Sequence, residues 1–67
     1  MADDLFPDAP IPLLAQIACV RREISMRQRV YPRWVESGRM TEEQSRQEIK
    51  GMYAVLDTLM ALHEERM

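Results

Sequence analysis

The 67-residue chain is short of most things that stabilise or arm a small protein: it has one cysteine, one histidine and two glycines. A single cysteine, Cys19, excludes an intramolecular disulfide and every multi-cysteine zinc pattern. A single histidine, His63, leaves no second imidazole to complete a metal site. Apolar runs such as Ile17–Val20 and Leu59–Leu62 are four residues long, against the roughly 20 that a membrane span needs. The N-terminus opens on Asp3 and Asp4 where a signal peptide would carry positive charge. No glycine-rich loop cradles a phosphate, and no serine or cysteine has a base at a recognisable spacing. These absences lead to the expectation of a soluble, reduced, cytosolic protein that is not an enzyme and holds no cofactor or metal.

What is present is apolar and charged in alternation. At 46% hydrophobic and 30% charged residues the chain is too apolar for a disordered tail. Its length allows one domain, and a domain of this size buries only about 60% of the surface its unfolded chain exposes. Without disulfide or metal, the remaining way to complete a core is self-association or docking on a partner.

Punctuation divides the chain. Residues 1–11 combine Asp3, Asp4 and Asp8 with Pro7 and Pro10 and read as an extended acidic arm, with Asp8 or the Ala9-Pro10 step able to lead into a helix. A first helix is expected over 12–37, a turn over 38–41 and a second helix over 42–65. Gly38 stands where a helix C-terminal stop belongs. Thr41 offers an N-cap, Gln44 completes a capping box, and Glu42 and Glu43 complement the helix dipole.

Apolar residues recur at helical spacing on both sides of this turn. In the second helix Ser45, Ile49, Met52, Leu56, Leu59 and His63 alternate steps of four and three, a heptad seam. Tyr53, Val55, Met60 and Leu62 widen that stripe. In the first helix Leu13, Ile17, Val20, Ile24, Tyr31 and Trp34 make a similar stripe, interrupted by Arg27 and Gln28 as a polar layer that fixes register. Cys19, lying between Ala18 and Val20, is expected to be a buried small hydrophobe, and His63 a packed or partly exposed histidine and not a ligand or base. Pro32 should either kink the first helix or stop it near Val30 and push Tyr31 out of helical geometry. The expected fold is all-α: an antiparallel two-helix hairpin with the first helix kinked or broken near Pro32, two copies pairing into a four-helix bundle. The core and oligomer contacts would come from Ile17, Val20, Ile24, Ile49, Met52, Leu56 and Leu59.

Charge is unevenly placed. Residues 21–39 hold six arginines against two glutamates, a local +4, while residues 1–20 and 40–67 each carry −3. Arginine presents a planar fork to carboxylates, phosphates and aromatic faces, and Arg, Trp and Tyr are enriched at interface hot spots. Arg22, Arg27, Arg29, Tyr31, Arg33, Trp34 and Arg39 are therefore the candidate partner-binding residues. Trp34 could also serve only to anchor the hairpin end beside Tyr31 and Pro32. The same basic strip could contact nucleic acid, although the overall pI near 5.3 points to protein contacts first.

The segment from Arg22-Glu23 through Val30-Tyr31-Pro32-Arg33-Trp34-Val35 to Gly38-Arg39-Met40-Thr41 resembles a group of small, largely uncharacterised proteins encoded by tailed phages and prophages. Those proteins share an arginine-glutamate start, a valine-tyrosine-proline-x-tryptophan-valine core and a glycine before a methionine-threonine turn. Glu48-Ile49 and Met52 match their second helix, so the resemblance covers residues 22–52. It implies an accessory phage protein in the host bacterial cytoplasm that modulates or inhibits a host protein, such as a defence or regulatory factor, by surface binding. A nucleic-acid-binding accessory protein and a minor structural protein of the virion are the alternatives.

Overall fold

A computed structural model describes residues 10–67, and these form two α-helices of 24 residues each, α1 (Leu13–Glu36) and α2 (Glu42–Glu65). The acidic residues of the N-terminal arm, and the Asp8 and Ala9 step into the helix, lie outside the described residues. Pro10, Ile11 and Pro12 precede α1 without regular structure. Twenty-four residues make a rod of about 36 Å. The two rods pack against each other, and their cross-contacts grow more distant in sequence away from the turn, from Gln28–Tyr53 to Arg21–Met60, so they run antiparallel.

The reversal is fixed by local chemistry. Past the C-cap Ser37, Gly38 takes φ +83°, a left-handed conformation that a side chain would strain. The Arg39 N–H then donates to the Trp34 carbonyl at 2.8 Å and the Gly38 N–H to the Val35 carbonyl at 3.2 Å, the paired bonds of a Schellman stop. Three residues on, the capping box is complete. The Gln44 N–H donates to Thr41 Oγ1 at 3.0 Å, and the Thr41 N–H donates to Gln44 Oε1 at 2.9 Å. The other end of α1 is plainer. Pro12 is its N-cap and supplies no side-chain bond; Gln16 Nε2 instead donates to the Ile11 carbonyl at 2.8 Å.

Ile17, Ile24 and Leu56 form the buried cluster, with Leu13, Val20, Met52 and Leu59 packed against it half-buried. Ile49 is half-buried on the same side of α2. Tyr31 is buried towards the turn end of α1. Ser45 and His63, the outer members of the α2 seam, are half-buried as well. Among the described residues none falls below 2% exposure, whereas Leu14, Tyr53, Val55, Met60 and four other large apolar side chains stand exposed.

Two expectations are corrected here. Cys19 is exposed, not buried. In the run Ile17–Val20 the seam takes Ile17 and Val20, three apart, and Cys19 points some 200° round the helix from Ile17. The stop near Val30 does not occur either: α1 passes through Pro32 as one helix, with Tyr31 helical. Pro32 itself is exposed and, lacking an N–H, removes the hydrogen bond that would run back to the Gln28 carbonyl. The burial of Tyr31, to 8% exposure, sets the helix there against the local preference of a residue before proline.

Candidate partner-binding surface

The candidate residues lie along α1 and its turn, and the structure divides them by role. Tyr31 is buried and therefore supports the surface from beneath. Trp34 lies stacked over it, with ring centroids 5.6 Å apart and planes 29° from parallel, and keeps 38% of its own surface exposed. Offset stacking of this kind contributes about 0.5–1.5 kcal/mol beyond area burial and holds the indole in one orientation. Trp34 is thus both an anchor of the hairpin end and a presented aromatic.

Arg27 is drawn inward. Its Nε donates to Glu23 Oε2 at 2.7 Å and its Nη1 to Glu48 Oε1 on α2 at 3.3 Å, while the guanidinium carbon lies 5.8 Å from the centre of the Tyr31 ring. Its pKa is held above the ordinary arginine value, first by the hydrogen bond to Glu23 and then by attraction to Tyr31, Glu23 and Glu48, against an opposing cost of burial. Gln28, its neighbour in the polar layer, faces the other side of the seam, where Nε2 donates to the Tyr53 hydroxyl at 3.0 Å. The two polar residues therefore clamp α2 from opposite sides.

Arg22, Arg29, Arg33 and Arg39 are exposed. Arg22 Nη2 donates to Cys19 Sγ at 3.2 Å. Arg22, Arg29 and Arg33 follow at steps of seven and four on the side of α1 turned away from α2, so they form one basic line. Arg39 lies in the turn, its N–H on the Trp34 carbonyl. Arg33, Trp34 and Arg39 thus gather at the turn end, whereas Arg22 sits some 16 Å back along the helix.

Two clefts open between the helices. One, at the turn end, has a volume of about 330 Å³ and is lined by Pro32, Val35, Glu42, Ser45 and Arg46. The other, near the middle, holds about 300 Å³ between Arg21, Ile24, Ser25, Gln28, Tyr53 and Leu56. Arg21 and Ser25 were not among the sequence candidates. Their signal is positional, each following a seam residue by one, and it becomes visible only once the side on which α2 lies is known. Among the described residues no group of three or more His, Cys, Asp or Glu is placed to hold a metal ion, and no helix is long and apolar enough to cross a membrane.

No protein-family model matches the chain, and neither does any curated protein or solved structure.

Proposed function

We propose that the chain is a protein-binding module of the small tailed-phage type, which acts in the host bacterial cytoplasm by occupying the surface of a host protein and so modulating or inhibiting it. The observation that carries this reading is Trp34, more than a third exposed yet held flat on Tyr31, with Arg33 and Arg39 beside it. A rigid, partly exposed tryptophan among arginines has the composition of a hot spot, and such a residue loses little entropy when it docks. The module works by surface complementarity, not bond chemistry. It acts as a homodimer, two hairpins forming a four-helix bundle, because the apolar side chains left exposed on α2 call for a second covering surface. A bend at Pro32 belongs to the same reading, since it would tilt the turn that carries Trp34 outward from the bundle.

The test is affinity capture from bacterial lysate followed by titration of the captured protein with wild type and Trp34→Ala. Loss of a hot-spot tryptophan weakens binding by at least about 30-fold. A variant that binds its partner unchanged removes Trp34 from the contact and the reading with it.

A second reading rests on the line Arg22, Arg29 and Arg33, which fits the phosphates of a nucleic acid. It predicts affinity that falls with salt by roughly one log unit of slope for each phosphate contact, and no gel shift at low salt would eliminate it. A minor structural role in the virion predicts the protein in purified particles.

A further inference from the structure

Each helix carries a second series of positions, one residue after every member of its seam and at the same alternating steps. On α1 this series is Leu14, Ala18, Arg21, Ser25, Gln28, Pro32 and Val35. On α2 it is Arg46, Lys50, Tyr53, Asp57, Met60 and Glu64. Arg21 Nη2 reaches Met60 Sδ at 3.7 Å and Gln28 bonds Tyr53 at 3.0 Å, so both series turn to one broad face of the hairpin. The two clefts open on this face. Leu14 is 61% exposed there, Tyr53 43% and Met60 38%, so the hairpin leaves the face uncovered.

At alternate positions the two series are opposite in size. Ala18, Ser25 and Pro32 recur every seventh residue on α1 and are small or compact. Arg46, Tyr53 and Met60 recur every seventh residue on α2 and are large. The cross-helix contacts also set the levels along the hairpin: Ala18 stands level with Met60, Ser25 with Tyr53, Arg21 with Asp57 and Pro32 with Arg46, each within about one turn. A two-fold axis parallel to the helices keeps every residue at its level and lays α1 of one copy on α2 of the other. Ala18, Ser25 and Pro32 then meet the larger Met60, Tyr53 and Arg46, and Arg21 meets the partner's Asp57 twice by symmetry. An axis perpendicular to the helices would instead set α1 on α1 and α2 on α2. Arg21 would then face a series that holds no acid, and its charge pair would be lost.

We propose that this face is the interface of a parallel-axis homodimer, with the partner's Tyr53 seated at Ser25 in the central cleft and Arg21 paired with the partner's Asp57. The proposal rests on the self-association read above and adds the face, the axis and the pairs. It leaves Arg22, Arg29 and Arg33 on the outside of the bundle, free for a different partner.

The experiment is analytical ultracentrifugation of wild type, Arg21→Asp, Asp57→Arg, the double variant and an equimolar mixture of the two single variants, with helicity followed by circular dichroism. The wild type is expected to sediment at about twice 7.9 kDa. Each single variant places two like charges against each other and should associate at least about tenfold more weakly. Both the double variant and the mixture restore opposite charges at both sites and should recover to within about threefold of wild type. Recovery in the mixture can come only from contact between chains. A wild type that is monomeric at about 1 mM overturns self-association and this face together. A dimeric wild type whose single variants are unaffected, or whose mixture does not recover, overturns this face and leaves self-association standing.

Discussion

Arg27 occupies a seam position where a leucine would ordinarily pack, and it meets three demands there at once. It pairs with Glu23 on its own helix and with Glu48 across the seam, and it covers the buried ring of Tyr31. Half-buried ion pairs add little singly, and a cation over an aromatic ring contributes about 0.5–1 kcal/mol. Arg27→Ala should therefore cost about 1–2 kcal/mol, read as a fall in the urea midpoint. Arg27→Leu should be neutral or stabilising, because apolar packing replaces charges that had to be desolvated, but it removes a polar seam residue of the kind that can set register. A urea midpoint for Arg27→Ala equal to that of wild type would show the cluster to be ornamental. The pKa of Arg27 is raised on folding, and a base with a raised pKa lends stability below its unfolded pKa that is lost only as pH rises through the folded value. That loss lies far on the alkaline side of neutrality, so the difference in stability between wild type and Arg27→Leu contains no titration of Arg27 between about pH 6 and 10.

The hairpin depends on a stop and a start placed three residues apart, and α1 carries a proline in its C-terminal half. Gly38 has room for a Cβ but sits at φ +83°, so Gly38→Ala should destabilise by about 1 kcal/mol through backbone strain alone. Pro32 is exposed and gives up one helical hydrogen bond, so Pro32→Ala should raise stability by about 1–2 kcal/mol, the restored bond outweighing the freer unfolded chain. No gain would mean that the ring contributes packing in the turn cleft that it lines. These elements also separate what the sequence makes legible from what it hides. The stop at Gly38 and the capping box at Thr41 and Gln44 are chemistry between neighbours in the chain, and they are readable from residue types. The seam of α2 is readable from its period. The continuity of α1 through Pro32 is not, because the burial of Tyr31 that overrides a local preference is a property of the packed helix and not of its neighbours' residue types. The orientation of Cys19 is hidden for a different reason: four consecutive apolar residues do not declare which two face the partner helix. The surface was legible in composition and not in layout. Tyr31 supports from below, Arg27 turns inward, and Arg21 and Ser25 join a cleft whose existence depends on the side chosen by α2.

At the scale of the molecule, a hairpin whose buried cluster is three residues deep has few ways to be stable. Its helices are well delimited at the turn, yet helices in proteins owe most of their stability to packing of an amphipathic face. One stripe of each helix is satisfied within the chain. The second series on each helix is not, and there the structure leaves Tyr53 and Met60 exposed opposite small residues and polar groups. If a second copy supplies the missing surface, folding and association are one process, and the stability of the folded state depends on protein concentration by mass action. Thermal unfolding by circular dichroism should then show a single transition whose midpoint rises by several degrees between about 10 μM and 1 mM, the increment following from the small unfolding entropy of so short a chain. Under the same conditions Arg21→Asp should lower the midpoint at every concentration, and its mixture with Asp57→Arg should restore it. A midpoint independent of concentration over that range would place all the stability within one hairpin, and the exposed face of α2 would then have no part in holding the fold.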